Sequence, residues 1–137
     1  MTDSQSEIML NKIGQILAED TQYPLENTLL YAELDFNWVG SSIFKDLGDH
    51  LLYRSPGIGL SYPLLDLWEL SDPGKRWSAI EYVIRNGRFD ASFTYPEDFD
   101  PEEDHGDRRD RVVRKYFGDK PIQYPSFSDD DDDVFEL

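Results

Sequence analysis

From Trp77 to Tyr95 the chain alternates apolar and polar residues in two runs that meet at Asn86-Gly87. Asn-Gly supplies the two residues at positive φ that a type I′ turn requires, so the runs predict a β-hairpin. The turn sets the pairing: Ile84 faces Phe89, Tyr82 faces Ala91, Ile80 faces Phe93 and Ser78 faces Tyr95. The other face pairs Arg85 with Arg88, Val83 with Asp90, Glu81 with Ser92 and Ala79 with Thr94. One face is mostly apolar and the other mostly polar, the pattern of an antiparallel sheet covered on one side. A slip of one residue would put Ile80 and Phe93 in water.

Other elements follow from periodicity. Ser4-x-x-Glu7 reads as a capping box, and Met9, Ile13, Ile16 and Leu17 fall on one helical face, predicting a helix over 5–19. Its apolar stripe is a core face. From Asn27 the period becomes two, with Leu30, Ala32, Leu34 and Phe36 on one side and Leu29, Tyr31, Glu33 and Asp35 on the other. A turn over 37–40, a strand over 39–46 and a short strand over 50–54 complete a meander. The stretch 55–63 is rich in Pro and Gly and reads as a loop. Pro63 suits the first turn of a short helix carrying Leu64, Leu65, Leu67 and Trp68, which Asp72-Pro73-Gly74 stops. After the hairpin, Val112, Val113, Tyr116 and Phe117 line one face of a third helix over 108–117, with Gly118 as its C-cap and Pro121 beyond. The order is α-β-β-β-α-β-β-α. Such grouping predicts an α+β domain, a single antiparallel sheet of about five strands with helices packed on one face. The domain should span 1–127, and 128–137 should form an acidic, disordered tail.

Composition narrows the classes. A chain of 137 residues, 39% hydrophobic and 14% aromatic, is long and apolar enough for one domain with its own core. There is no apolar run of membrane-spanning length and no secretory signal pattern. Without cysteine there is no disulfide framework, thiolate metal site or cysteine nucleophile. The formal net charge is -16, and removing the six tail acids (Asp129 to Asp133 and Glu136) still leaves -10. Phosphate would be repelled, which argues against nucleic acid as a partner. A basic protein would be attracted. Solubility alone is the competing explanation of the acidity.

Candidate chemistry is sparse. His50 stands beside Asp49 and His105 beside Asp104, without recognisable nucleophile or metal-ligand spacing. Gly57-x-Gly59 lacks the further glycine, or the Gly-Lys-Ser/Thr, of a phosphate loop. Asp98, Asp100, Glu102 and Asp104 alternate like the start of a calcium loop, but Glu103 and Arg109 occupy the places where glycine and glutamate are needed. No catalytic residue, metal or cofactor is therefore assigned. The stretch 96–110 nevertheless carries eight acidic residues against two arginines. On one reading Arg108 and Arg109 partly neutralise it, and its acids suit the N-terminal dipole of the third helix. On the other it is a platform for a basic protein, with Asp98, Asp100, Glu102, Glu103 and Asp104 as electrostatic contacts and Phe99 as an apolar anchor.

A resemblance favours the second reading. Leu30-Tyr31-Ala32-Glu33-Leu34-Asp35, then Asn86-Gly87-Arg88-Phe89 with Phe93-Thr94-Tyr95, then Arg111, Arg114, Lys115, Tyr116, Phe117 and Gly118 occur in an order and spacing that resembles the YezG-like immunity proteins, antitoxin partners of bacterial polymorphic toxins. The likeness runs from the first helix to about Pro121. It implies an α+β fold, a cytoplasmic setting, no catalysis and a cognate toxin, often a nuclease, as partner. The second helix reads shorter here than the resemblance implies. Two alternatives stand beside it: an acidic mimic of nucleic acid or scaffold acting through the aspartate tail, and a small enzyme, which requires a deep pocket with converging polar groups. Ending the chain after Ser128 separates the tail from the domain. If the domain carries the function, partner affinity measured by titration stays within about twofold, since surface substitutions away from an interface are near neutral.

Overall fold

The computed structural model describes residues 2–36 and 38–124. The elements are α1 (Thr2–Leu17), β1 (Thr28–Asp35), β2 (Trp38–Asp46), β3 (Leu51–Arg54), α2 (Ile58–Glu69), β4 (Ala79–Arg85), β5 (Arg88–Thr94), a 3₁₀ turn (Pro96–Asp98), α3 (His105–Phe117) and β6 (Ile122–Gln123). The acidic tail lies outside the described residues, as does Asn37.

The expected hairpin forms in the expected register, with Ile84 opposite Phe89, Tyr82 opposite Ala91 and Ile80 opposite Phe93. Asn86 and Gly87 have φ of 57° and 75°. The Glu26 carboxylate accepts hydrogen bonds from both turn amides, that of Gly87 at 3.2 Å. The α+β class is as expected, but the sheet has six strands rather than five, in the order β5-β4-β1-β2-β3-β6. The added strand β6 pairs parallel with β3. Two residues carry no periodicity, so β6 left no signal in the pattern.

The larger correction is that helices cover both faces of the sheet. α1 and α2 bury Leu30, Ala32, Leu34, Ile80, Tyr82 and Ile84 on one side. α3 packs Val112, Val113 and Phe117 against Leu29, Tyr31, Phe44, Ala79 and Val83 on the other. The hairpin face that reads as polar is therefore interior along β4, where even Glu81 is buried. Burial of that carboxylate is tolerable because α3 brings partners to it: Lys115 Nζ donates at 2.6 Å and the Tyr116 hydroxyl at 2.8 Å.

Other boundaries also move. α1 runs from Thr2 to Leu17 rather than over 5–19, so Ser4 lies within the helix and not at its cap. α2 begins at Ile58 rather than near Pro63, so 58–63 of the expected loop is helical. Pro63 removes one intrahelical bond. Leu60, Leu64 and Leu67, all buried against the sheet, offset that loss. α2 has twelve residues, longer than the run from Pro63 suggests. The turn between β1 and β2 also closes earlier than expected, since Asp35 pairs with Trp38. Gly40, expected in that turn, sits within β2, where a Cβ would meet the Trp38 ring at 2.8 Å. It is there to let the indole lie over the strand.

Substituting Gly87→Ala should cost about 1 kcal/mol or slightly more, because an L side chain at positive φ is strained. Urea unfolding should show a lower midpoint with an unchanged slope.

Candidate functional site

The acidic stretch is held in place by the start of α3. Asp104 has extended backbone, with φ of -93°, and its carboxylate accepts from the Asp107 amide at 2.8 Å, capping the helix. Asp104 belongs to the helix, which begins at His105 rather than Arg108. Glu103 is half-buried and receives both ends of the Arg111 guanidinium, at 2.9 and 3.0 Å. Phe99 is partly buried under the Arg108 guanidinium, 4.2 Å from the ring centroid, and packs against the core beneath α3. Of the six residues expected to form a contact surface, these three are engaged inside the molecule. Asp98, Asp100 and Glu102 remain exposed, and no described cation pairs with them. Glu97 and Asp35 share that condition.

Of the two arginines expected to offset the acids, Arg109 lies 3.5 Å from Asp110, whereas Arg108 turns away from the stretch's carboxylates. Its guanidinium reaches the central strand and grips Glu33, Nε to Oε2 at 2.7 Å and Nη2 to Oε1 at 3.0 Å, while Nη1 donates to the Glu103 carbonyl at 2.6 Å. The Tyr31 hydroxyl donates to Glu33 Oε2 at 2.6 Å, and His105 Nδ1 lies 3.1 Å from Oε1. Burial alone would raise the Glu33 pKa, but the hydrogen bonds from Arg108 and Tyr31, with the His105 ring nearby, outweigh it, and the carboxyl falls to about 2. The same environment pushes the Tyr31 hydroxyl above its usual range, through burial first and then the adjacent carboxylate. Both Glu33 oxygens are occupied, which is the geometry of a positioning ion pair and leaves little room for a substrate proton. Sequence reasoning placed Glu33 on the strand's second face and missed its role. The available signal was the row of arginines on a helix whose apolar stripe needed a second sheet face to cover.

Asp35 ends β1 at the turn to β2, and Phe99, which Asp98 and Asp100 flank in sequence, lines the hollow beside that turn. Phe36 there is 76% exposed and Trp38 48% exposed. Both line a hollow of about 390 Å³ with Asp35, Phe99 and Arg108. Asp35 also borders a neighbouring hollow of about 530 Å³, which reaches Tyr95, Pro96 and Glu97. This end of the sheet thus combines exposed aromatics with unpaired carboxylates. His105 packs edge-on to Trp38, with centroids 6.1 Å apart. His50 sits elsewhere, 2.7 Å from Asp49.

A third hollow of about 460 Å³ lies between α1 and α2, beside Lys45 and Arg54. Lys45 is buried, and burial lowers its pKa. Its ammonium donates to the Pro24 carbonyl at 3.1 Å and the Thr28 hydroxyl at 2.9 Å. Arg54 is bound to Asp20 at 2.7 Å. These groups fasten the chain between α1 and β1. Among the described residues no group of three or more His, Asp or Glu is placed to hold a metal ion, and no helix is long and apolar enough to cross a membrane.

No family model matches the chain, and no curated protein matches it.

Replacing Glu33 by Gln strands Arg108 and should destabilise the fold by roughly 3 kcal/mol at pH 7, the low end for breaking a buried pair. The folded pKa of Glu33 lies below its ordinary 4.5, so its contribution is present above that pH and is lost as pH falls toward 2. Unfolding curves of wild type and E33Q should therefore converge across that window.

Proposed function

We propose that this chain is an immunity protein, which binds a cognate bacterial toxin and blocks it through the acidic end of its sheet. The observation that carries the reading is the set of carboxylates at Asp35, Glu97, Asp98, Asp100 and Glu102, exposed and without a cationic partner among the described residues. A protein that needed acids only for solubility would gain as much from scattering them. Gathered on a fixed loop, they create a local negative field that steers a basic surface. A nuclease fits, because its cleft must attract phosphate and is therefore basic. The resemblance to YezG-like immunity proteins rests on the residues quoted for it and points the same way, including to a cytoplasmic setting and a non-catalytic role.

The enzyme alternative asks for a pocket in which titratable groups converge with free valences. Glu33 and Lys45, the two most deeply buried charged groups beside hollows, are both spent on internal partners. That favours a binding role. The nucleic-acid mimic acting through the aspartate tail remains the second reading, since the formal charge of the chain is -16 with the tail and -10 without its six acids.

Where a toxin domain is encoded in an adjacent reading frame, co-expression with it should yield a stable complex and abolish toxicity. The triple reversal Asp98→Lys, Asp100→Lys, Glu102→Lys should slow association about 10-fold or more at low salt and flatten its salt dependence, as electrostatic steering requires. Stopped-flow mixing reads this directly. Association at the wild-type rate removes the loop from the interface.

A further inference from the structure

Two of the chain's large apolar side chains, Phe36 and Trp38, stand in water on the turn between β1 and β2. A single exposed aromatic needs no explanation. Two on one tight turn, with an arrangement that holds one of them, do. Trp38 is fixed from beneath: Gly40 leaves the space its indole fills, since a Cβ there would stand 2.8 Å from the ring, and His105 braces its edge. The turn is tied as well, because the Phe36 amide donates to Asp35 at 2.7 Å. The face that Trp38 leaves open is thus presented without the entropic cost of ordering a mobile side chain on binding. Phe93 also stands partly in water, but it packs on Trp77 with centroids 5.0 Å apart.

The surroundings state the partner's chemistry. Asp35 and Phe99 share the hollow with both aromatics, and the free acids flank Phe99 in sequence. Arg108, the cation in that hollow, is already gripped by Glu33. We infer that Phe36 and Trp38 are the apolar anchor of a protein interface, and that they enter an apolar depression rimmed by arginine or lysine on a basic partner. Aromatic residues ringed by polar contacts are the usual energetic centre of such interfaces, and a partner guanidinium stacking on the open indole would add a cation–π contact. Phe99, the anchor expected from the sequence, is replaced in that role by the turn. The inference rests on the immunity reading for the identity of the partner, but not for its chemistry.

The test has two arms, both on the full chain. In the first, a twelve-residue peptide of arginine, lysine and leucine is titrated against wild type, F36A and W38A, with a control in which serine replaces leucine. Trp68 and Trp77 are buried, so fluorescence changes report Trp38. The leucine peptide should shift the emission to the blue and bind at least 10-fold more tightly than the serine peptide. Each substitution should weaken it at least 10-fold, read by anisotropy of the labelled peptide. Equal affinity for wild type and both variants, or an unmoved emission, overturns the inference. In the second arm a toxin domain found in an adjacent reading frame is the ligand, and F36A with W38A should raise dissociation at least 30-fold. Toxin bound independently of the turn sinks the anchor and leaves the immunity reading standing. Peptide captured at the turn with no toxin bound does the reverse.

Discussion

The ion pair between Glu33 and Arg108 fixes how the molecule is assembled. A carboxylate on the central strand of a sheet covered on both faces is costly unless its lone pairs are filled. Arg108 fills them from α3, with Tyr31 adding a hydroxyl from the same strand face. The pair therefore ties the position of α3 along β1. Lys115 and Tyr116 make a second attachment at Glu81 on β4, where burial and the carboxylate raise the Tyr116 pKa to about 12. With both points set, α3 has little freedom to rotate or slide, and Val112, Val113 and Phe117 meet the sheet in one register. The pairs specify the packing more than they stabilise it, because buried charge pairs roughly break even against apolar replacements.

That constraint reaches the surface. The loop from Pro96 to Asp104 runs from the end of β5 to the start of α3, so anchoring α3 also anchors the loop. Glu103 and Asp104 are spent on holding it, through Arg111 and the helix cap. Asp98, Asp100 and Glu102 are exposed and have no cationic partner among the described residues, although Asp100 Oδ1 accepts from the Glu102 amide at 2.9 Å. The division of labour within one acidic run is the informative feature: some carboxylates fix the geometry and the others present charge. The turn carrying Phe36 and Trp38 shares its hollow with Asp35, Phe99 and Arg108, so apolar groups and an exposed carboxylate meet at one end of the sheet.

Much of this was legible in the residue pattern. The Asn86-Gly87 turn determined the β4–β5 register because only such a pair relaxes at two consecutive positive φ angles. Period-two alternation determined β1, and 3.6-residue periodicity determined α1 and α3, since each is a local property of side-chain direction. The acidity and its concentration between Tyr95 and Arg108 are properties of composition.

Tertiary structure decided the rest. Periodicity says which side chains share a face but not what covers the second face, so Glu81 and Val83 read as half of an exposed face until α3 was laid over them. Pro63 reads as a helix start, and only the burial of Leu60 with Leu64 and Leu67 shows the helix beginning earlier. Arg108 lies beside the acids in sequence, yet its partner is 75 residues away on β1. Which carboxylates are free, and whether Phe99 or the Phe36–Trp38 turn faces water, depends on such long-range pairings. Local sequence sets the propensity of each segment, whereas the partners of buried charges are chosen when the segments meet.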